Sequence, residues 1–190
     1  MTSTREQIVA SAAGLFWRRG FHHTSVDLIV QDAGVCKGNF YHYFPSKDAL
    51  GLAVIDAWAG EYERHLFGTD FGAPRPPLER LEGFIDAIVE AQKDMAFVGC
   101  PLARMALEMG DLDESFRQRI DHVFRIFRGK LEAVLAEAGV EEASNFSRYL
   151  LATIQGGFLL AKVERDRGVL YAISRQLKRQ LRHQLMERVA

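Results

Sequence analysis

The chain is short of cysteine, of proline and of long apolar runs, and each shortage excludes something. Two cysteines in 190 residues, Cys36 and Cys100, cannot make a disulfide framework. Both thiols are expected to be reduced, as in a cytoplasmic protein. No run of 18 apolar residues and no apolar leader segment occurs, so no membrane contact is expected. Three of the five prolines, Pro74, Pro76 and Pro77, fall close together, which leaves most of the chain free to be helical. No segment alternates like a strand. HExxH, phosphate-loop and GxGxxG patterns are missing, as is a Ser-His-Asp order. The chain is therefore read as no enzyme, with no catalytic residue, no metal site and no cofactor.

What is present is apolar periodicity at helical spacing. With 48% hydrophobic and 26% charged residues, the composition is that of a globular protein. Charge is unevenly spread. Residues 1–50 hold five Lys/Arg against four Asp/Glu, residues 51–161 hold 11 against 18, and residues 162–190 hold eight against three. The N-terminal part is only weakly basic. The acidic middle points, faintly, to a cationic ligand.

The stretch Thr24 to Leu50 organises the rest. Val26, Ile29, Val30 and Ala33 mark one face of a short helix, which Thr24 or Ser25 can cap. Gly34 supplies the left-handed residue that stops it. A second helix begins about two residues later, at Cys36 to Tyr43. So short a turn forces a steep crossing, the geometry of a helix-turn-helix. On that second helix Lys37 suits a phosphate, Gly38 leaves room for a close approach, and Asn39, Tyr41 and His42 have tips that can hydrogen-bond to DNA. Phe40 and Phe44 anchor it inward. Ser46 caps the following helix, and Lys47 in its first turn is well placed for a phosphate. An ordinary helical hairpin in a core fits the same residues.

The run AGVCKGNFYHYFPSKDAL resembles the signature of the TetR (tetracycline-repressor-like) family of transcriptional regulators. So does its lead-in, an N-terminal helix with Ile8, Ala12, Leu15 and Phe16 followed by RRGFHHTSVDLIVQDAG. The likeness is specific over roughly the first 50 residues; beyond them only length, helicity and layout agree. It implies an all-α fold of about nine helices: a DNA-binding helix-turn-helix head over residues 1–50, and a ligand-binding and dimerisation body over 51–190. Thr24, Ser25, Cys36, Lys37, Gly38, Asn39, Tyr41, His42 and Lys47 are the expected DNA-facing set. Cys36 departs from the family's usual Ser or Thr, and a thiol is a weak donor.

Beyond the head, 67–77 carries two Gly and three Pro, read as a loop inside one body and not a linker. Leu78, Leu81, Ile85 and Ile88 predict a fifth helix through about Lys93. Pro101 opens a sixth, and Asp111 with Glu114 suggests a capping box for a seventh whose face includes Leu112 and Phe116. An eighth spans about Ala143–Arg165 and a ninth about Val169–Arg188. The resemblance implies that the last two helices of two copies form a homodimer interface; Ile154, Gly156, Gly157, Ile173, Leu177 and Leu181 are its expected residues. Such a dimer would span a near-palindromic operator on double-stranded DNA.

The resemblance also implies a small-molecule effector pocket, with Trp58, Tyr62, Cys100, Met105, Phe124, Phe127 and Phe158 as candidates; Phe97 adds to the aromatic count. Ordinary core packing accounts for any one of them. Cys100, in GCPL just ahead of a helix, is either a space-filling thiol or an electrophile sensor with a lowered pKa. The resulting reading is a ligand-responsive repressor released by a small hydrophobic or electrophilic effector. The alternative is a helical adaptor that binds protein and not DNA.

Overall fold

A computed structural model describes residues 3–68, 71, 74–92 and 98–186. The expected helix end at Lys93, the ring of Phe97 and the end at Arg188 lie outside these. Among the described residues there are nine helices and no strand: α1 Thr4–Arg19, α2 Val26–Asp32, α3 Lys37–Tyr43, α4 Lys47–Leu66, α5 Pro77–Ala91, α6 Pro101–Met109, α7 Glu114–Glu137, α8 Ala143–Glu164 and α9 Gly168–Met186.

The packing forms two compact units, Met1–Glu61 with Pro101–His122, and Tyr62–Cys100 with Val123–Ala190. The cut in α4 falls later than residue 50 because Val54, Ile55 and Trp58 are buried in the first unit's core. The break around 67–77 lies within the second unit, where Phe67 and Phe71 pack ring to ring at 5.1 Å.

In the first unit, Ser3 and Glu6 cap α1 reciprocally: the Glu6 carboxylate accepts from the Ser3 N–H at 2.7 Å, and Ser3 Oγ accepts from the Glu6 N–H. Ile8, Ala12, Leu15 and Phe16 follow at helical spacing and are all buried. Phe21 then stacks against Phe16 and Phe116 at 5.0 and 5.3 Å. Gly51 of α4 lies beneath those rings; a Cβ there would stand 2.7 Å from Phe116 Cζ and 2.8 Å from Phe21 Cε2. Contacts from α6 reach the end of α1. Arg104 donates to the Trp17 carbonyl at 2.7 Å and pairs with Glu108, whose carboxylate accepts from the His22 N–H.

Helix α7 is capped by Asp113 and not by Asp111. The Asp113 carboxylate accepts from the Ser115 N–H at 2.7 Å, and Leu112, left outside the helix, is exposed. The capping-box spacing was present, but two residues separate Asp111 from the last free turn. At its other end, the Val140 N–H donates to Leu135 O and the Gly139 N–H to Ala136 O, the paired bonds of a Schellman stop.

In the second unit, Leu81, Phe84, Ile85 and Ile88 line the buried face of α5. Helices α8 and α9 cross closely at Gly157, which lies against Ile173 and Leu170. Arg182–Glu82 (2.7 Å) and Lys178–Asp86 tie α9 to α5.

Candidate functional site

Ser25 caps α2, its Oγ accepting from the Leu28 N–H at 3.1 Å. The helix stops as the residues demand: Gly34 takes φ +66°, the Val35 N–H reaches Val30 O, and the Gly34 N–H reaches Gln31 O. Cys36 then begins α3 and makes no side-chain capping bond. Phe40 and Phe44 are buried, 0% and 3% exposed, which turns the rest of the short helix outward. Cys36, Lys37, Gly38, Asn39, Tyr41 and His42 are all exposed along it. The structure thus brings six of the nine expected DNA-facing residues onto one outward helix, with Ser25 exposed at the start of α2.

Two of the nine are corrected. Thr24 is fully buried, its hydroxyl donating to the Gly20 carbonyl at 2.7 Å. That bond pins the α1–α2 loop and leaves the hydroxyl no access to DNA. Lys47 turns inward, donating to Phe21 O at 3.0 Å and Thr24 O at 3.3 Å, with its ammonium 4.3 Å over the Phe21 ring. Burial pushes its pKa down. The loop carbonyls left open after α1 attract that ammonium, a tertiary effect invisible in the local motif. Lys37 is exposed but paired with Asp27 at 2.8 Å, and that bond holds its pKa up.

The second unit contains a small, partly open cavity of about 50 Å³. Tyr62, Cys100, Phe124, Phe127 and Phe158 line it as expected. Trp58 and Met105 do not; both are buried in the other unit, 6% and 2% exposed. Their spacing marked them as apolar, but it cannot distinguish a core from a cavity wall. Phe84 lines the cavity too, and Phe67, Gln92 and Gln155 were missed. Phe67 was hidden by its Gly- and Pro-rich surroundings, while the two glutamines carried no motif at all. None of the described lining residues is charged. Polar atoms gather by the thiol: Tyr62 OH donates to Cys100 Sγ at 3.9 Å, and Gln92 Oε1 accepts from the Gly99 N–H at 2.9 Å. Gly99 holds φ +135°, which favours glycine and sets the approach to Cys100.

The expected dimer residues divide. Ile154, Gly157, Leu177 and Leu181 are buried within their own unit and Ile173 is half-buried, so these belong to the chain's own core. Gly156 is exposed and faces open space. With it on α8 lie Tyr149, Ala152, Leu159, Leu160 and Val163, all exposed and spaced three or four apart. This exposed apolar stripe lies on a different face of α8 from the buried Ile154 and Gly157, and the expected Gly156 falls on it.

A helix-turn-helix with Phe40 and Phe44 inward and Lys37, Asn39, Tyr41 and His42 outward, in a helical chain, is the arrangement of a DNA-binding regulator. Two family models match: bacterial regulatory proteins of the tetR family over residues 8–54, and the C-terminal domain of LmrA/YxaF-like transcriptional regulators over residues 77–176. The chain belongs to the TetR family of transcriptional regulators, and it is no enzyme. An uncharacterized HTH-type transcriptional regulator of Lactococcus lactis is 33% identical over 175 residues, spanning 90% of this chain and 89% of that protein. The crystal structure of reduced Escherichia coli NemR matches with a TM-score of 0.80 at 25% identity, over 93% of this chain and 95% of that one. A TetR regulator from Legionella pneumophila shares the fold, with a TM-score of 0.84 at 23% identity over 95% of this chain and 98% of its own. No comparison favours the adaptor reading. No described helix is long and apolar enough to cross a membrane.

Proposed function

We propose that this chain is a repressor, acting in the cytoplasm as a homodimer, that leaves its operator when an uncharged aromatic or electrophilic small molecule enters the cavity of the second unit. Residues 1–50 serve as the DNA-binding domain and 51–190 as the effector and dimerisation domain. The observation that carries this reading is a thiol, Cys100, set in a mostly apolar cavity whose described lining is uncharged, beside a hydroxyl donor. Apolar walls with a few convergent polar groups are the usual make-up of a small-molecule site. Two relatives support the repressor sense by name, the DhaR repressor of a Mycobacterium species and the NemR repressor of E. coli.

On DNA, α3 of each copy lies in a major groove, and two-fold symmetry asks for a near-palindromic site. Ser25, Lys37 and the α3 backbone set the register, while Asn39, Tyr41 and His42 reach base edges. In the cavity, an effector shifts the equilibrium only by its differential affinity for the DNA-competent and released states. An electrophile such as a conjugated enone acts by addition: the Cys100 sulfur bonds to its β-carbon, and the thiol proton ends on its α-carbon.

The test is operator release. Duplex DNA from upstream of the chain's own gene is bound, and N-ethylmaleimide is added while mass spectrometry follows label on Cys100. Release that tracks the label, and is lost in Cys100→Ser, supports the proposal. A Cys100→Ser protein that responds as fully as the parent overturns the electrophile reading.

A further inference from the structure

The first 50 residues carry only five Lys/Arg, and Arg5 over the Phe44 ring, Lys37 and Lys47 are engaged within the fold. Lys47 is bonded to loop carbonyls. Lys37, the first residue of α3, is bonded through Nζ to Asp27 Oδ1 at 2.8 Å. Asp27 lies in the first turn of α2, so the pair bridges the two helices of the helix-turn-helix. Both side chains remain open to solvent, at 55% and 74% exposure. A DNA phosphate reaching α3 would therefore compete with the Asp27 carboxylate for the same ammonium. Cys36, just before it, makes no capping bond and brings only a weak thiol donor.

We infer that Asp27 is an electrostatic latch on Lys37, one that limits the affinity of the head for DNA of any sequence. The inference rests on α3 being the DNA-facing helix. Lys37 and Asp27 together carry no net charge. When a phosphate takes Lys37, the freed carboxylate stays beside the duplex and draws a cation back. The pair then contributes almost nothing to net counterion release, whereas an unlatched lysine contributes about 0.9 of an ion per head. Sequence-independent binding is almost wholly electrostatic, so the latch acts most strongly there. Base reading by Asn39, Tyr41 and His42 does not pass through Asp27. The latch accordingly widens the gap between operator and random DNA. Asp27 is a positioning residue: it touches Lys37, not the bases.

The test needs no knowledge of the operator. Full-length protein is titrated against a fluorescent random-sequence duplex at about 50 and 200 mM salt. Asp27→Asn is expected to bind more tightly, with a log–log salt slope steeper by about 0.9 per head, so that its advantage falls about threefold per head across that range. Asp27→Glu, which keeps the carboxylate, is expected to keep the parental slope. In a Lys37→Gln background the gain from Asp27→Asn should largely vanish. Melting curves establish that the variants are folded. Should Asp27→Asn disturb the start of α2, Asp27→Ser keeps a hydrogen-bonding side chain in that turn and replaces it. A folded variant with unchanged or weaker binding and an unchanged slope overturns the latch. So does an equal gain in the Lys37→Gln background, which would mean simple repulsion between Asp27 and DNA. Lys37→Gln that leaves random-DNA binding unchanged even in the Asp27→Asn background is a different result: it removes Lys37 from the DNA face, and the latch with it.

Discussion

Lys47 and Lys37 are the same residue type, ten positions apart, in one short motif, yet the structure gives them opposite tasks. Lys47 closes the α1–α2 loop by satisfying the carbonyls of Phe21 and Thr24. Replacing it by Met removes the ammonium from the Thr24 carbonyl and from the Phe21 carbonyl, which keeps only the Thr24 N–H, a loss of about 1–3 kcal/mol. Lys47→Met should therefore lower the melting temperature while leaving the salt slope of DNA binding near the parental value. Equal melting with a shallower slope would return Lys47 to the DNA face. Gly51 makes a second case. Its missing side chain is what lets Phe21 and Phe116 close over α4. Gly51→Ala gains helix propensity but forces those rings apart, and overpacking of that kind costs about 1–3 kcal/mol. Chemical denaturation should show a lower midpoint; a higher one would mean that propensity outweighs packing there.

At the scale of elements, α8 carries apolar residues on two faces. One face, with Ile154, Phe158 and Ala161, is buried in the chain's own core. The other, with Leu159 and Val163 at 63% and 71% exposure, has no cover in the single chain. An uncovered apolar stripe of this kind is where a second copy would pack in the homodimer we propose. Val163→Glu places a charge in that stripe without touching the core. Sedimentation at micromolar concentration should then show a monomer where the parent shows a dimer, with helical content unchanged. A dimeric Val163→Glu protein would move the interface elsewhere.

For the molecule as a whole, a cavity whose described lining carries no charge has a direct consequence for selectivity. Burying a charged ligand group without a counter-charge is costly. A neutral naphthol should therefore raise the melting temperature, whereas naphthoate of similar size should not. At about a hundredfold excess over its dissociation constant, binding adds about 2.7 kcal/mol of stability. A stabilising naphthoate would contradict the lining described here.

Helix positions, the stops at Gly34 and Gly139, the helix-turn-helix and its inward pair Phe40 and Phe44 were all legible in the sequence. Each depends on neighbours within a turn or two, where apolar period, capping oxygens and left-handed glycines act locally. Other assignments were not legible: Lys47 and Thr24 turned inward, Trp58 and Met105 in a core rather than at the cavity, Phe67 and Gln92 in its wall, and the outer face of α8 left uncovered. An apolar period says that a residue is buried, not what buries it. A lysine in a first turn finds whichever acceptor lies nearest, and here that acceptor came from a loop more than twenty residues away. Sequence alone determined the family and the elements. Only the tertiary structure decided which polar groups stay free for a partner, because that depends on contacts between segments far apart in the chain.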